Sequence, residues 1–312
     1  MCGSTRRRAP DRNRNCVATR GSELARWQAR RVATLLGADT ELVVVSTTGD
    51  QRTDVPIHSV GGTGIFVKEV QQAVLDGRAD VAVHSAKDLP ASDSPDGLVL
   101  AAIPERADPR DVLVGSTLDA LPAGARIATG SVRRRAQLAA LRPDLTFAEL
   151  RGNIATRLER AVDYDAVVMA AAALVRLGLA DRADEFLEPS VMLPQVGQGA
   201  LAVECRSDDA DTLARVTAID DARVHVAVDA ERAYLAELGG GCDLPCGALA
   251  SLDGDTITVE ALLAAVDGHV VLRASARDTD PVAAGRAAAA EVMARGGRSL
   301  LEESSRIEGG AA

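Results

Sequence analysis

Residues 16–37, with the sequence CVATRGSELARWQARRVATLLG, decide the fold class. Residues 16–19 are typical of a short strand, and Gly21-Ser22 forms the turn that follows it. The next apolar side chains recur at helical spacing, and Gly37 ends the helix. These apolar residues are Leu24, Trp27, Val32, Leu35 and Leu36. The chain therefore opens with a strand–turn–helix unit.

The same alternation of strands and helices continues along the chain. Further strands are predicted at 41–46, 81–84, 126–129, 166–170 and 201–205. Helices are predicted near 66–75, from 131 onward and at about 222–238, and a Pro/Gly connection at 121–124 separates two α/β units. Such alternation favours mainly parallel sheets with helices on their faces and ligands at the carboxyl ends of the strands.

The end of the chain has a different pattern. Two apolar runs, 256–266 and 270–274, flank Asp267-Gly268, which is a hairpin signal, and an Ala-rich helix follows. We therefore predict a small third domain of the α+β class.

Composition excludes several classes of protein. The net charge of −10 argues against a general nucleic-acid binder, and no apolar stretch is long enough to span a bilayer. Five scattered cysteines suit a reducing compartment, so a cytoplasmic protein without nucleic-acid or membrane partners is expected. The segment from Arg126 to Arg160, however, contains eight arginines and only three acidic residues, which indicates an anion-binding segment.

Three segments place polar groups where predicted strands end. Residues 83–90 include Lys87 and Asp88. Residues 129–135 contain two hydroxyl side chains and three arginines at the start of a predicted helix, and residues 150–157 contain two more arginines. Helix N-termini and guanidinium groups favour carboxylates or phosphates. The alternative is a set of solvated surface charges.

Cys242 follows three glycines, so its thiol is expected in a tightly turned loop and available for covalent chemistry. The alternative is a small apolar residue in a turn. Cys246 lies four residues on, but no second Cys or His pair completes a zinc site, and no metal is expected. Neither a hydrolase triad nor a phosphate-cradling GxxxxGK[ST] motif is present.

Eight stretches in order resemble the porphobilinogen deaminase (hydroxymethylbilane synthase) family. They are ATRGSELARWQA (18–29), VGGTGIFVKE (60–69), ADVAVHSAKDLP (79–90), ERADPRDVLV (105–114), ATGSVRRRAQL (128–138), LRGNIATRL (150–158), VGQGALAVECR (196–206) and ERAYLAELGGGC (231–242). The resemblance extends from about residue 16 to about residue 300.

The resemblance implies an α/β fold with two periplasmic-binding-protein-like domains and a small C-terminal α+β domain. The expected boundaries are an extension at 1–15, domain 1 at 16–110 and 198–218, domain 2 at 111–197, domain 3 at 219–304 and a tail at 305–312. The implied activity is that of a transferase of haem biosynthesis. It would join four porphobilinogen molecules head to tail with loss of ammonia and release hydroxymethylbilane, acting as a monomer.

The resemblance also assigns the site residues. Asp88 is the implied catalytic residue, and it would stabilise a cationic intermediate. Cys242 would carry a dipyrromethane cofactor covalently. The remaining implied cofactor-binding residues are Lys87, Asp88, Thr129, Ser131, Arg133, Arg134 and Arg151. The implied substrate-binding residues are Arg20, Ser22, Phe66, Arg157 and Arg176.

The chain departs from the family pattern at three positions. Gly130 stands where a serine is usual, Thr63 where a lysine is frequent, and Cys246 where an aliphatic residue is customary. Two alternatives to an active enzyme remain. One is a non-enzymatic two-lobed protein that binds an anionic solute or effector, and the other is a relic that binds pyrroles without turnover.

Overall fold

The structure is a computed structural model that describes residues 14–37, 39–46, 67–91, 94–239 and 244–309. The chain divides into two compact units. The first comprises residues 1–105 and 200–225, and the second comprises residues 106–199 and 226–312. Each unit is built around its own hydrophobic clusters.

The first unit contains a five-stranded mixed sheet. Its strands are β1 (Arg14–Arg20), β2 (Asp39–Val45), β3 (Val81–Ser85), β4 (Leu98–Ala102) and β10 (Leu201–Arg206), in the order β2-β1-β3-β10-β4. Strand β1 is parallel to β2 and β3, whereas β10 is antiparallel to β3 and β4. Its described residues include the helices α1 (Glu23–Leu36), α2 (Lys68–Leu75) and α6 (Ala210–Thr217).

Apolar side chains on the two faces of this sheet form separate cores. Val17, Val83 and Val203 pack with α1 on one face, whereas Ala18 and Ala82 pack with α2 on the other. Successive residues of a strand point to opposite faces, so a strand covered on both sides is apolar throughout. This explains why β3 is a continuous apolar run up to His84.

The second unit contains another five-stranded mixed sheet. Its strands are β5 (Asp111–Val114), β6 (Arg126–Ala128), β7 (Thr146–Ala148), β8 (Ala166–Ala170) and β9 (Glu185–Leu187), in the order β7-β6-β8-β5-β9. Strand β6 is parallel to β7 and β8, and β5 is antiparallel to β8 and β9. Its helices are α3 (Val132–Leu141), α4 (Ile154–Glu159) and α5 (Ala171–Arg176).

The C-terminal part of the second unit is an antiparallel three-stranded sheet with helices. Its strands are β11 (Cys246–Asp253), β12 (Thr256–Ala264) and β13 (Val271–Asp278). The helices are α7 (Ala222–Glu237), which begins in the first unit, α8 (Pro281–Val292) and α9 (Arg298–Gly309). Tyr234 is fully buried in the core, and its hydroxyl donates to the Leu262 carbonyl.

The predicted fold class is confirmed: two α/β sheets and a small C-terminal α+β part are present. The sheets are mixed rather than mainly parallel, because the chain re-enters the first sheet through the antiparallel strand β10. Strand β1 begins at Arg14, and the last helix continues to Gly309. The three-domain boundaries stay a prediction. Across the described ranges, no helix is both long and apolar enough to cross a bilayer.

Candidate functional site

The first unit brings four predicted site residues to one edge of its sheet. Arg20 ends β1, and Ser22 follows it. Lys87 and Asp88 follow β3 in a single 3₁₀ turn, Ala86–Asp88. Strands β1 and β3 are parallel neighbours, so their carboxyl ends meet at the same edge.

Ser22 has a structural role at this edge. It is the N-cap of α1, and its hydroxyl oxygen accepts from the Ala25 N–H at 3.3 Å. Asp88 is half-buried and makes no ion pair with another described residue. Because no described residue neutralises it, this carboxylate is available to a positively charged ligand group.

The second unit collects predicted site residues in the same way. Strands β7, β6 and β8 are parallel neighbours, so the segments that follow them lie along one edge. These segments carry Arg151 after β7, the 129–134 stretch after β6, and α5 with Arg176 after β8. Asp111 joins them, because it starts the antiparallel strand β5 opposite Ala170 at the end of β8.

Two of the predicted arginines form buried ion pairs with Asp111. Arg133 Nη1 donates to Asp111 Oδ2 at 2.8 Å and to the Leu193 carbonyl at 2.6 Å. Arg134 donates to Asp111 Oδ1 through Nε at 3.0 Å and Nη2 at 2.8 Å. The guanidinium groups are buried, and Asp111 is completely inaccessible to solvent. One carboxylate therefore holds two cations beneath the edge of the sheet.

Asp111 is ionised despite its burial. Burial alone would raise the pKa of its carboxyl, but the positive charges of Arg133 and Arg134 outweigh this effect. Hydrogen bonds from Arg133 and Gln198 add to the lowering, so the pKa lies below its usual range. The pair of guanidinium groups keeps one positive charge more than Asp111 neutralises.

The remaining positive charge is concentrated around Arg157. Its pKa is lowered to about 10, first by burial and then by the positive charges of Arg134 and Arg151. Arg157 Nε donates to the Gly152 carbonyl at 2.9 Å, which fixes the side chain among like charges. Among the described residues, two buried donors of this group have no hydrogen-bond partner: Arg133 Nε and Arg151 Nη2. The arrangement suits a ligand with several carboxylates.

The turn after β6 presents backbone and hydroxyl groups to the same edge. Ser131 is the N-cap of α3, and its backbone N–H donates to the buried Thr129 hydroxyl at 3.2 Å. Gly130 is close to the next turn, since a Cβ there would lie 3.1 Å from the Leu150 carbonyl oxygen. The backbone at Gly130 and at Leu150 therefore approach each other closely.

Arg176 is also buried, and its Nη2 donates to the Gly199 carbonyl at 2.7 Å. Phe66, Thr63 and Cys242 lie outside the described residues. The described neighbours of segment 240–243, Gly239 and Leu244, belong to the unit that holds the arginine cluster. Cys246 is buried in the core beneath the C-terminal sheet, so its thiol is shielded from solvent.

Sequence patterns did not reveal the residues that organise these groups. Asp111, Gln198 and Glu204 lie within apolar or glycine-containing stretches, and each is buried with no exposed surface. The signal that could have revealed Asp111 and Glu204 is a single acidic residue within an apolar strand. A carboxylate buried in such a strand requires polar or charged partners. Which partners it finds depends on strands that are distant in sequence.

Comparison with known proteins gives consistent matches. The family model "Porphobilinogen deaminase, dipyromethane cofactor binding domain" matches residues 16–214, and "Porphobilinogen deaminase, C-terminal domain" matches residues 225–294. The chain is 48% identical to a porphobilinogen deaminase of Roseiflexus sp. (strain RS-1), over 91% of this chain and 97% of the relative. It is 45% identical to that of Brevibacillus brevis, over 92% of this chain and 96% of the relative.

Solved structures similar to the chain include the periplasmic VFT2 domain of Bordetella pertussis BvgS. The TM-score is 0.39 and the identity 17%, over 67% of this chain and 87% of that domain. The family resemblance and the dipyrromethane cofactor expected from the eight sequence stretches are confirmed by the family models. Because these models cover most of its length and close relatives align along nearly all of it, the chain belongs to the porphobilinogen deaminase family.

Proposed function

We propose that this chain joins four porphobilinogen molecules head to tail with loss of ammonia, releases hydroxymethylbilane by hydrolysis, and acts as a cytoplasmic monomer. The observation that carries the proposal is the excess of guanidinium charge around Arg134, Arg151 and Arg157 in a member of this family. Every added pyrrole brings an acetate and a propionate, so the growing product needs such a cluster. Dispersed surface arginines would not supply this concentration of charge.

The described residues fit a dipyrromethane in the second unit. Its two pyrroles would present four carboxylates, and Arg133 Nε and Arg151 Nη2, buried donors without a partner among the described residues, are suited to donate to them. Thr129 and Ser131 add a hydroxyl and a helix N-terminus at the same edge. When bound, the dipyrromethane supplies the free pyrrole α-carbon at which units are added. We assign its covalent attachment to Cys242, through a thioether.

The first unit supplies the catalytic carboxylate in this proposal. Asp88 accepts a hydrogen bond from the pyrrole N–H of porphobilinogen and stabilises the positive charge that develops as ammonia leaves. Its lack of an ion-pair partner among the described residues supports this role, because a carboxylate neutralised by an arginine would contribute less. Lys87 and Arg20 lie at the same edge and are suited to bind substrate carboxylates. Ser22, Phe66, Arg157 and Arg176 complete the proposed substrate contacts.

The test is the intact mass of the purified protein under denaturing conditions. We expect an excess equal to two linked pyrrole units, lost in Cys242→Ser and retained in the matched control Cys246→Ala. An unmodified wild-type mass after incubation with porphobilinogen, together with no release of ammonia, would refute the proposal. A protein that binds porphobilinogen reversibly without an adduct would instead be a solute-binding protein or a relic without turnover.

A further inference from the structure

Glu204 is a carboxylate buried in the sheet of the first unit, in the middle of β10, with no exposed surface. Gln71 Nε2 donates to its two oxygens at 3.0 and 2.9 Å, and the Ser94 hydroxyl donates to Oε1 at 2.6 Å. His84 Nε2 lies 3.1 Å from Oε2, a close polar contact that lacks the alignment of a well-formed hydrogen bond.

The strand register explains why these groups meet. In the antiparallel pair of β3 and β10, His84 lies opposite Ala202, and Ala82 lies opposite Glu204. Paired residues point to the same face of a sheet, and so do residues two apart along a strand. His84 and Glu204 are therefore diagonal neighbours on the face that α2 covers with Gln71.

The contacts of Glu204 lie on both sides of Asp88 in the sequence. His84 precedes Asp88 by four residues at the end of β3, and Ser94 follows it by six before β4 begins. Between them, Ala86–Asp88 form a single 3₁₀ turn, closed by a hydrogen bond from the Leu89 N–H to the Ala86 carbonyl at 3.2 Å. The turn therefore follows directly from the end of the strand that carries His84.

A carboxylate is not required here for packing. An apolar side chain of the same size would fill a strand interior without the desolvation that a buried charge entails. Burial works against ionisation of Glu204, yet the contacts with His84, Ser94 and Gln71 hold its pKa below the usual value. Glu204 therefore keeps its negative charge, and this charge holds the side chains of His84, Ser94 and Gln71 in place.

We infer that Glu204 is a positioning residue for Asp88, acting through His84 and Ser94 to fix the turn that carries the catalytic carboxylate. The inference rests on the role proposed for Asp88 above. It predicts that loss of the Glu204 charge impairs turnover more than substrate binding, because displacement of a reacting group by about 1 Å can cost about 100-fold in rate.

The test compares Glu204→Gln with a matched control, Asp220→Asn. Asp220 also contacts a histidine of the first unit, His225 Nδ1 at 2.8 Å, but on the segment after α6. We expect Glu204→Gln holoenzyme to lose about 10- to 100-fold in kcat while KM changes by less than about twofold. The control should keep both constants within about twofold. The kcat of each variant is calculated per holoenzyme molecule, with the holoenzyme content measured by intact mass.

Hydrogen exchange gives a readout that does not depend on turnover. We expect amides in a peptide covering residues 85–91 to exchange faster in Glu204→Gln and unchanged in Asp220→Asn. If the wild-type protein releases no ammonia, the proposed function fails. Hydrogen exchange at residues 85–91 then still tests whether Glu204 fixes the turn that carries Asp88.

Unchanged kcat in Glu204→Gln, or unchanged exchange at 85–91, would overturn the inference and leave Glu204 a purely structural residue. Should that variant fail to fold, Ser94→Ala removes a single hydroxyl and decides in its place. A fall in its kcat at constant KM would support positioning, and wild-type kcat would refute it.

Discussion

Replacing Asp111 with Asn keeps the shape of the side chain but removes the carboxylate that binds two buried guanidinium groups. Arg133 and Arg134 are only 3% and 6% exposed, so neither can turn toward water without a rearrangement of α3. An amide cannot neutralise them, and it offers one acceptor oxygen where the carboxylate offered two. We therefore expect Asp111→Asn to destabilise the second unit.

The magnitude follows from the burial of the pair. Removing one partner of a buried ion pair costs about 3–5 kcal/mol, because the remaining charge is left uncompensated. In a unit of this size, that corresponds to a fall in Tm of roughly 6–20 °C. The matched control is Asp144→Asn, which breaks an Asp–Arg pair with Arg142 at the surface, where solvent screens the charges and little change is expected.

The assay is thermal unfolding followed by circular dichroism as a function of pH. The folded-state pKa of Asp111 is lowered, so its contribution to stability is complete above the unfolded-state pKa of about 3.9 and is lost as the pH falls toward the folded value. The gap in Tm between wild type and Asp111→Asn should thus be widest at neutral pH and narrow below about pH 4.

Two results would contradict this reasoning. A Tm for Asp111→Asn no lower than that of Asp144→Asn would show that the buried cations are stabilised by other groups. A gap in Tm that stays constant from pH 7 to pH 3 would show that the charge of Asp111 is not its source.

Other substitutions separate the proposed roles. Asp88→Ala should abolish ammonia release while leaving the adduct in the intact mass, and near-normal turnover would remove Asp88 from the mechanism. Arg133→Leu should lower both Tm and cofactor content, because it leaves the Asp111 charge partly uncompensated. Arg157→Leu should lower cofactor content but not the Tm of the cofactor-free protein, since it relieves repulsion from Arg134 and Arg151; a Tm loss as large as that of Arg133→Leu would show that Arg157 is structural.

Much of the order of secondary structure was predictable because the sequence contains local signals for it. The strand–turn–helix unit at 16–37, the apolar run before His84 and the hairpin around Asp267-Gly268 each depend on residues close together in the chain. Strands β4, β5 and β9 were not predicted individually. They are short and are stabilised by pairing with strands far away in sequence, which no local pattern reveals.

The arginine-rich edge was predictable for a related reason. Parallel strands bring their carboxyl ends together, so residues that follow predicted strands are expected to be neighbours. The sequence did not reveal how the arginines divide their tasks. Arg133 and Arg134 are bound to Asp111, whereas Arg157 lies among like charges, and this difference arises from the antiparallel strand β5.

The sequence by itself determined the fold class, the positions of the charged segments and, through eight ordered stretches, the family. Hydrophobic periodicity and turn residues act over a few positions, so they can be recognised without coordinates. Only the tertiary structure decided which buried charges meet: Asp111 with two arginines, and Glu204 with His84 and Ser94. The cost of burying a charge is offset by partners tens of residues away, and only the folded chain brings those partners within a few ångströms.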